Sequence, residues 1–220
     1  MLGPDARATQ MQKWYDRLAV LVEQTREQIR AVPPGDLAWR SGCMLDADGA
    51  IRLRFWNEPF RVRMPALCVQ RGDTQADPTD FTEALLLTYL ATADGTAPKD
   101  RWITYRDLPD GMFYAQAFRG YAELRLIREL GAGGITAFRR GMQRLGGQPV
   151  QLGSGTGNAA YAVQVLPRVR LAAVYWLGDE DFPSQASVLF QETAPHYLST
   201  DGLAVLGSHL VNHIIELSQG

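Results

Sequence analysis

The stretch IRLRFWNEPFRVRM, residues 51–64, decides the fold class. Ile51, Leu53 and Phe55 alternate with Arg52 and Arg54, and Phe60, Val62 and Met64 alternate with Arg61 and Arg63. Successive side chains of a strand point to opposite faces, so this pattern predicts two strands with one buried face and one arginine-bearing face. Turn residues at Asp46–Gly49 and Asn57–Pro59 extend the pattern into an antiparallel β-meander over about 38–70. Arg52, Arg54, Arg61 and Arg63 then form either a solvated sheet face or a surface for an anion or a partner protein.

Upstream, Trp14, Leu18, Leu21, Val22 and Ile29 recur at near-helical spacing, which predicts a rather polar helix over 6–31, ended by Pro33-Pro34-Gly35. Residues 1–35 are expected as a peripheral helix beside a single α+β domain over 36–220. Downstream, helices are expected at 78–93, 112–130, 135–145 and 201–217. Thr79 or Asp80 is the expected cap of the first, with Glu83 at capping-box distance from Asp80. Phe113, Ala117, Tyr121, Leu124 and Ile127 make the apolar stripe of the second. Leu203, Leu206, Leu210, Ile214 and Leu217 make that of the last, and Gly207 on the same side allows close approach. Strands are expected at Tyr161–Leu166 and Val169–Leu177, the latter apolar on both faces and therefore covered on both. The expected architecture is α+β: a largely antiparallel sheet built from the meander and two strands of the C-terminal half, covered by about five helices.

With 220 residues, 46% of them hydrophobic, the chain can bury a sizeable core. A net charge of −2 and a pI near 5.9 argue against a nucleic-acid partner. No apolar run approaches the roughly 20 residues that span a bilayer, and a cytoplasmic location is expected. The two cysteines, Cys43 and Cys68, exclude a disulfide framework and a four-cysteine metal site within one chain, and read as buried thiols in strands.

The chemistry-bearing stretch is GDEDFPSQASVLFQETAPHYLST, residues 178–200. It starts where a central strand ends, a common place for ligands. Among Asp179, Glu180 and Asp181 a pair could serve as acid and base or bind a hard metal, or the acids could cap a helix running from about 182 to 190. His196 follows Pro195 and is expected in a loop, with Tyr197 beside it. Ser199 or Thr200 caps the last helix. Ser184, His196 and Asp201 could be drawn as a triad, although no GxSxG elbow marks a nucleophile. His209 and His213, one helical turn apart, are weak metal-ligand candidates, with His196 as a third ligand. Gly153, Gly155 and Gly157 form a GxGxG string that lacks the helix a phosphate loop needs after it.

Several phrases resemble an uncharacterised prokaryotic family, domain of unknown function 3786. They are DGAIRLRFWNEPFRVRMP, RWITYRDLPDGMFYAQAF, LGGQPV, LPRVRLAAVYWLGDEDFPSQASVLF and APHYLSTDGLAVLG, and together they span most of 36–215. The resemblance implies no catalytic residue, because none is established for the family. Members with a cysteine-rich iron–sulfur module imply work near redox or cofactor metabolism, but this chain has no such module.

The leading expectation is a cytoplasmic small-molecule- or cofactor-binding accessory protein with a pocket at residues 176–200. Trp176, Asp179, Asp181, His196 and Tyr197 are its expected lining, and no cofactor is named by any motif. A hydrolase or metal-dependent enzyme using His196 with the nearby carboxylates is the first alternative. A scaffold binding a partner through the arginine face is the second.

Overall fold

A computed structural model describes residues 22–72, 78–152 and 157–219. The chain is α+β and divides into two compact units, Met1–Gly95 and Thr96–Gly220. Among the described residues, no helix is long and apolar enough to cross a membrane.

In the first unit, helix α1 is described over 22–30 and the rest of the expected first helix lies outside the described residues. Ile29 is fully buried and Arg26 pairs with Glu83 at 2.5 Å. Pro33-Pro34-Gly35 ends α1 but also starts α2, Pro34–Ser41. Pro34 occupies the first turn, where its fixed φ suits a helix and its missing N–H is no loss. Gly42, at φ 68, closes α2 in the left-handed conformation. The meander therefore begins at Met44, later than expected.

Its strands are β1 (Met44–Leu45), β2 (Ile51–Phe55), β3 (Glu58–Arg63) and β4 (Cys68–Arg71), in the order β1-β2-β3-β4 and all antiparallel. Ile51 faces Val62 and Leu53 faces Phe60 across β2 and β3, and all four are buried. The β2–β3 turn is Trp56-Asn57, both at positive φ, as a two-residue hairpin of this twist requires. On the opposite face Arg52 pairs with Asp46 at 2.8 Å, and Arg61 with Asp48 at 2.6 Å. Cys68 lies in a strand but is exposed, and Cys43 precedes β1 half-buried. The expected burial of both thiols is thus corrected: Cys68 falls on the outward side of β4, beside buried Val69. Helix α3, Asp80–Thr92, is capped by Thr79, whose hydroxyl accepts the Thr82 N–H. Glu83 serves Arg26 instead of a capping box. Leu85, Leu86, Leu87, Tyr89 and Leu90 are all buried, so α3 is apolar nearly all round.

The second unit holds β5 (Trp102–Thr104), β6 (Gln148–Pro149), β7 (Ala159–Leu166), β8 (Val169–Trp176) and β9 (Gln185–Gln191). Their order is β5-β9-β8-β7-β6, again antiparallel throughout. The helix expected at 182–190 is corrected to strand β9. Ala186, Val188 and Phe190 are buried at period two, opposite Tyr175, Ala173 and Leu171 of β8. Pairing with an apolar neighbour outweighs the acid–proline signal that suggested a helix start.

The helices are α4 (Ala115–Phe118), a π turn (Arg119–Glu123), α5 (Leu124–Leu130), α6 (Gly134–Arg144) and α7 (Thr200–Gln219). Residues 112–130 are thus not one regular helix. Gly111–Phe113 is a 3-10 turn, and the π turn shifts the phase of everything after it. The buried stripe is Phe118, Ala122, Leu126 and Leu130, whereas Phe113, Tyr121 and Leu124 of the expected stripe are exposed. Helix α7 buries Leu203, Leu206, Leu210 and Ile214 as expected. A Cβ on Gly207 would lie 2.7 Å from the Phe118 ring and 3.3 Å from Phe190, which explains the glycine. Phe118 also stacks on Tyr105 at 4.3 Å, so these rings form the packing centre between α7 and β9.

Candidate functional site

Trp176 ends β8 half-buried, and Asp179 and Asp181 occupy the exposed β8–β9 turn. The Asp179 carboxylate accepts the N–H groups of Asp181 and Phe182, at 3.0 and 2.9 Å. Its backbone N–H meets the Phe182 carbonyl at 2.9 Å. Asp179 therefore shapes a turn, where a helix cap was one expectation. Ser184 accepts the Gly178 N–H in the same turn.

His196 and Tyr197 stand at the other end of β9. The ends of this seven-residue strand, at about 3.4 Å per step, lie about 20 Å apart. The expected pocket residues are thus split into two groups, and Ser184 is divided from His196 in the same way. His196 is exposed and ends the short 3-10 turn Ala194–His196, where a loop was expected. Its Nδ1 lies 3.2 Å from the Thr96 hydroxyl. Tyr197 is fully buried, and its hydroxyl donates to the Thr96 carbonyl. The pair therefore ties the start of the second unit to the end of β9.

His209 and His213 lie half-buried on α7. Burial and then the His213 charge lower the pKa of His209, while Glu216 opposes them. Among the described residues, no group of three His, Cys, Asp or Glu is placed to hold a metal ion. Of the GxGxG string, Gly153 and Gly155 lie outside the described residues. Gly157 precedes strand β7, and a Cβ there would sit 2.5 Å from the Tyr175 carbonyl, so close strand packing explains it.

A cleft of about 370 Å³ opens beside the His196–Tyr197 segment. Pro109, Asp110 and Tyr114 form one wall, and Pro195, Leu198, Ser199, Thr200 and Asp201 form the other. Each wall is fixed locally. Asp107 accepts from both the backbone and the hydroxyl of Thr104, which starts the turn at Tyr105. Asp110 holds φ 57, and Gly111 follows where a Cβ would lie 2.0 Å from the Tyr105 carbonyl. Ser199 caps α7 through the Gly202 N–H. The Thr200 hydroxyl donates to the Pro109 carbonyl at 2.6 Å and joins the walls.

The serine and threonine hydroxyls of this lining are thus engaged in structure. Among the described residues, the ionisable lining consists of the carboxylates of Asp110 and Asp201 and the phenol of Tyr114, with no basic residue. Burial, then the charge of Asp201, pushes the Tyr105 phenol upward. Tyr121 is raised too, by burial, Tyr105 and Asp201 in that order. The cleft is therefore a locally negative, partly apolar recess. Sequence reading placed Asp201 in the first turn of a helix and missed Asp110 and Tyr114. A left-handed Asp before Gly was the one available signal.

A family model described as Domain of unknown function (DUF3786) matches residues 33–213, so the chain belongs to that family. No curated protein and no solved structure matches.

Proposed function

We propose that this chain, a member of a family of unknown function, is a ligand-binding accessory protein whose cleft at Asp110, Tyr114 and Asp201 receives a cationic group. The observation that carries the reading is the recess itself. Its volume of about 370 Å³ falls within the range of small-molecule pockets, about 300–1,000 Å³. Two carboxylates with no basic neighbour among the described lining residues repel phosphates and carboxylates and favour an ammonium or guanidinium group. The Tyr114 ring adds a face on which a cation can rest. Cys43 and Cys68 are not joined in a disulfide, which fits a reducing cytoplasm.

The enzyme alternative draws no support from the geometry, since Asp179 and Asp181 stand a strand length from His196. The arginine-face alternative is weakened by Asp46 and Asp48, which already neutralise Arg52 and Arg61. A thermal-shift series tests the cleft reading. Agmatine and spermidine should raise the Tm of the wild type and leave Asp110→Asn/Asp201→Asn unchanged. Stabilisation by nucleotides or flavins instead, undiminished in that variant, would reject it.

A further inference from the structure

The 3-10 turn at Gly111–Phe113 and the π turn at Arg119–Glu123 leave a group of large apolar side chains outside. Met112 is 62% exposed, Phe113 77% and Tyr114 63%. Tyr121 and Leu124 are 44% and 49% exposed. Tyr114 belongs both to this shelf and to the cleft wall. The Tyr121 ring meets Phe118 edge-on at 5.5 Å, and burial, then the charges of Tyr105 and Asp201, raise its pKa. Apolar shelf and acidic recess are therefore contiguous. Arg106 lies at Met112 Sδ and is not in the described lining of the cleft.

Single exposed apolar residues are ordinary, but three consecutive ones held on successive tight turns are not. The turns at Tyr105, Leu108 and Gly111 fix their backbone, so little ordering remains to be done on association. A free small cation would fill the recess and leave the shelf wet. A protein segment that carries its cation beside apolar side chains covers both.

We propose that the shelf and cleft together dock a partner protein segment, with a lysine or arginine entering between Asp110 and Asp201 and apolar residues lying on Met112, Phe113 and Tyr114. This deepens the cation-binding reading of the cleft and rests on it. The carboxylates select the charge, and the shelf selects a polypeptide over a free amine. An anionic membrane is disfavoured by the same carboxylates.

The test uses the full chain against a displayed random-peptide library, with agmatine and anionic phospholipid vesicles as separate probes. Enriched peptides should share a Lys or Arg flanked by aromatic or aliphatic residues. Their affinity should fall about tenfold or more in Phe113→Ser and in Asp201→Asn, as for anchor residues of an interface. Met112→Ser and Asp110→Asn repeat the two arms, and an unchanged Tm shows that each variant is folded. Failure to enrich such peptides, while agmatine binds and depends on Asp201, overturns the docking surface and leaves the cation cleft. Failure of both probes overturns both. Peptide binding that survives Asp110→Asn/Asp201→Asn overturns the charged anchor. Vesicle binding that depends on Phe113, without peptide enrichment, overturns the choice of a protein partner.

Discussion

The Glu123 carboxylate accepts the Val188 backbone N–H at 3.1 Å and the Ser187 hydroxyl at 2.8 Å. Strand β5 pairs with β9 only over Leu189–Gln191, so Val188 lies where that edge is uncovered. The π turn carries Glu123 to the opening and ends the row of unpaired groups. Glu123→Ala is expected to destabilise the protein by about 1–2 kcal/mol, as for a lost hydrogen bond to a charged acceptor. Denaturant unfolding measures the loss, and faster exchange of the Val188 amide should accompany it. An unchanged amide would contradict the assignment.

Two glycines of the helical layer differ in what a methyl group would strike. A Cβ at Gly141 would lie 2.4 Å from the Ile214 backbone carbonyl, whereas at Gly207 it would meet the Phe118 and Phe190 rings. Backbone yields less than a ring. Both Gly→Ala changes are expected to destabilise by about 1–3 kcal/mol, offset by up to about 1 kcal/mol of helix propensity. Gly141→Ala should be the more damaging, and thermal unfolding of the two variants ranks them.

His209 gives a pH dependence whose sign follows from its lowered pKa. The folded state resists protonation more than the unfolded state, so the unfolded chain binds the extra proton. The stability contributed by neutral His209 is present above the unfolded histidine pKa, about 6.5, and is lost as pH falls through the folded value. His209→Gln should flatten the stability curve between neutral and mildly acidic pH. A curve with unchanged slope would exclude His209 as its source.

At the junction that ties Thr96 to β9, the two neighbouring side chains should behave differently. Tyr197→Phe removes a buried hydrogen bond and is expected to cost about 1 kcal/mol. His196→Ala, at an exposed position, should change stability little. It should also leave cation binding intact, because His196 is outside the cleft lining. Denaturant unfolding of the two variants checks the stabilities, and a binding titration on His196→Ala checks the cleft.

Asp201 raises the Tyr105 and Tyr121 phenols in addition to their burial. Asp201→Asn should therefore lower the pH at which these tyrosines ionise, as read by phenolate absorbance. A midpoint that stays in place would remove Asp201 from their surroundings.

How far the sequence could be read depended on where each signal resided. The meander was visible because Ile51 to Val62 carry a strict period of two. Strands β7 and β8 and helix α7 were visible through their runs of apolar residues. Strand β9 was hidden because Asp179–Pro183 imitates a helix start, and only pairing with β8 decides between the two. The stripe of 112–130 was misphased because a 3-10 turn at Gly111–Phe113 and then a π turn at Arg119–Glu123 break the 3.6-residue wheel. The cleft was out of reach for a different reason. Its walls meet through Thr200 and Pro109, 91 residues apart, a contact no local pattern encodes.

The sheet order β5-β9-β8-β7-β6 also dictates a history for the chain. β7, β8 and β9 follow one another and can zip as local hairpins. β5 must wait for a partner near the far end of the unit, and Tyr197 must then reach back 101 residues to Thr96. Closing so long a loop carries an entropy penalty that precedes any reward. The first strand of the second unit to be synthesised is thus the last expected to find its place, and the junction at Thr96 is the seam that seals behind it.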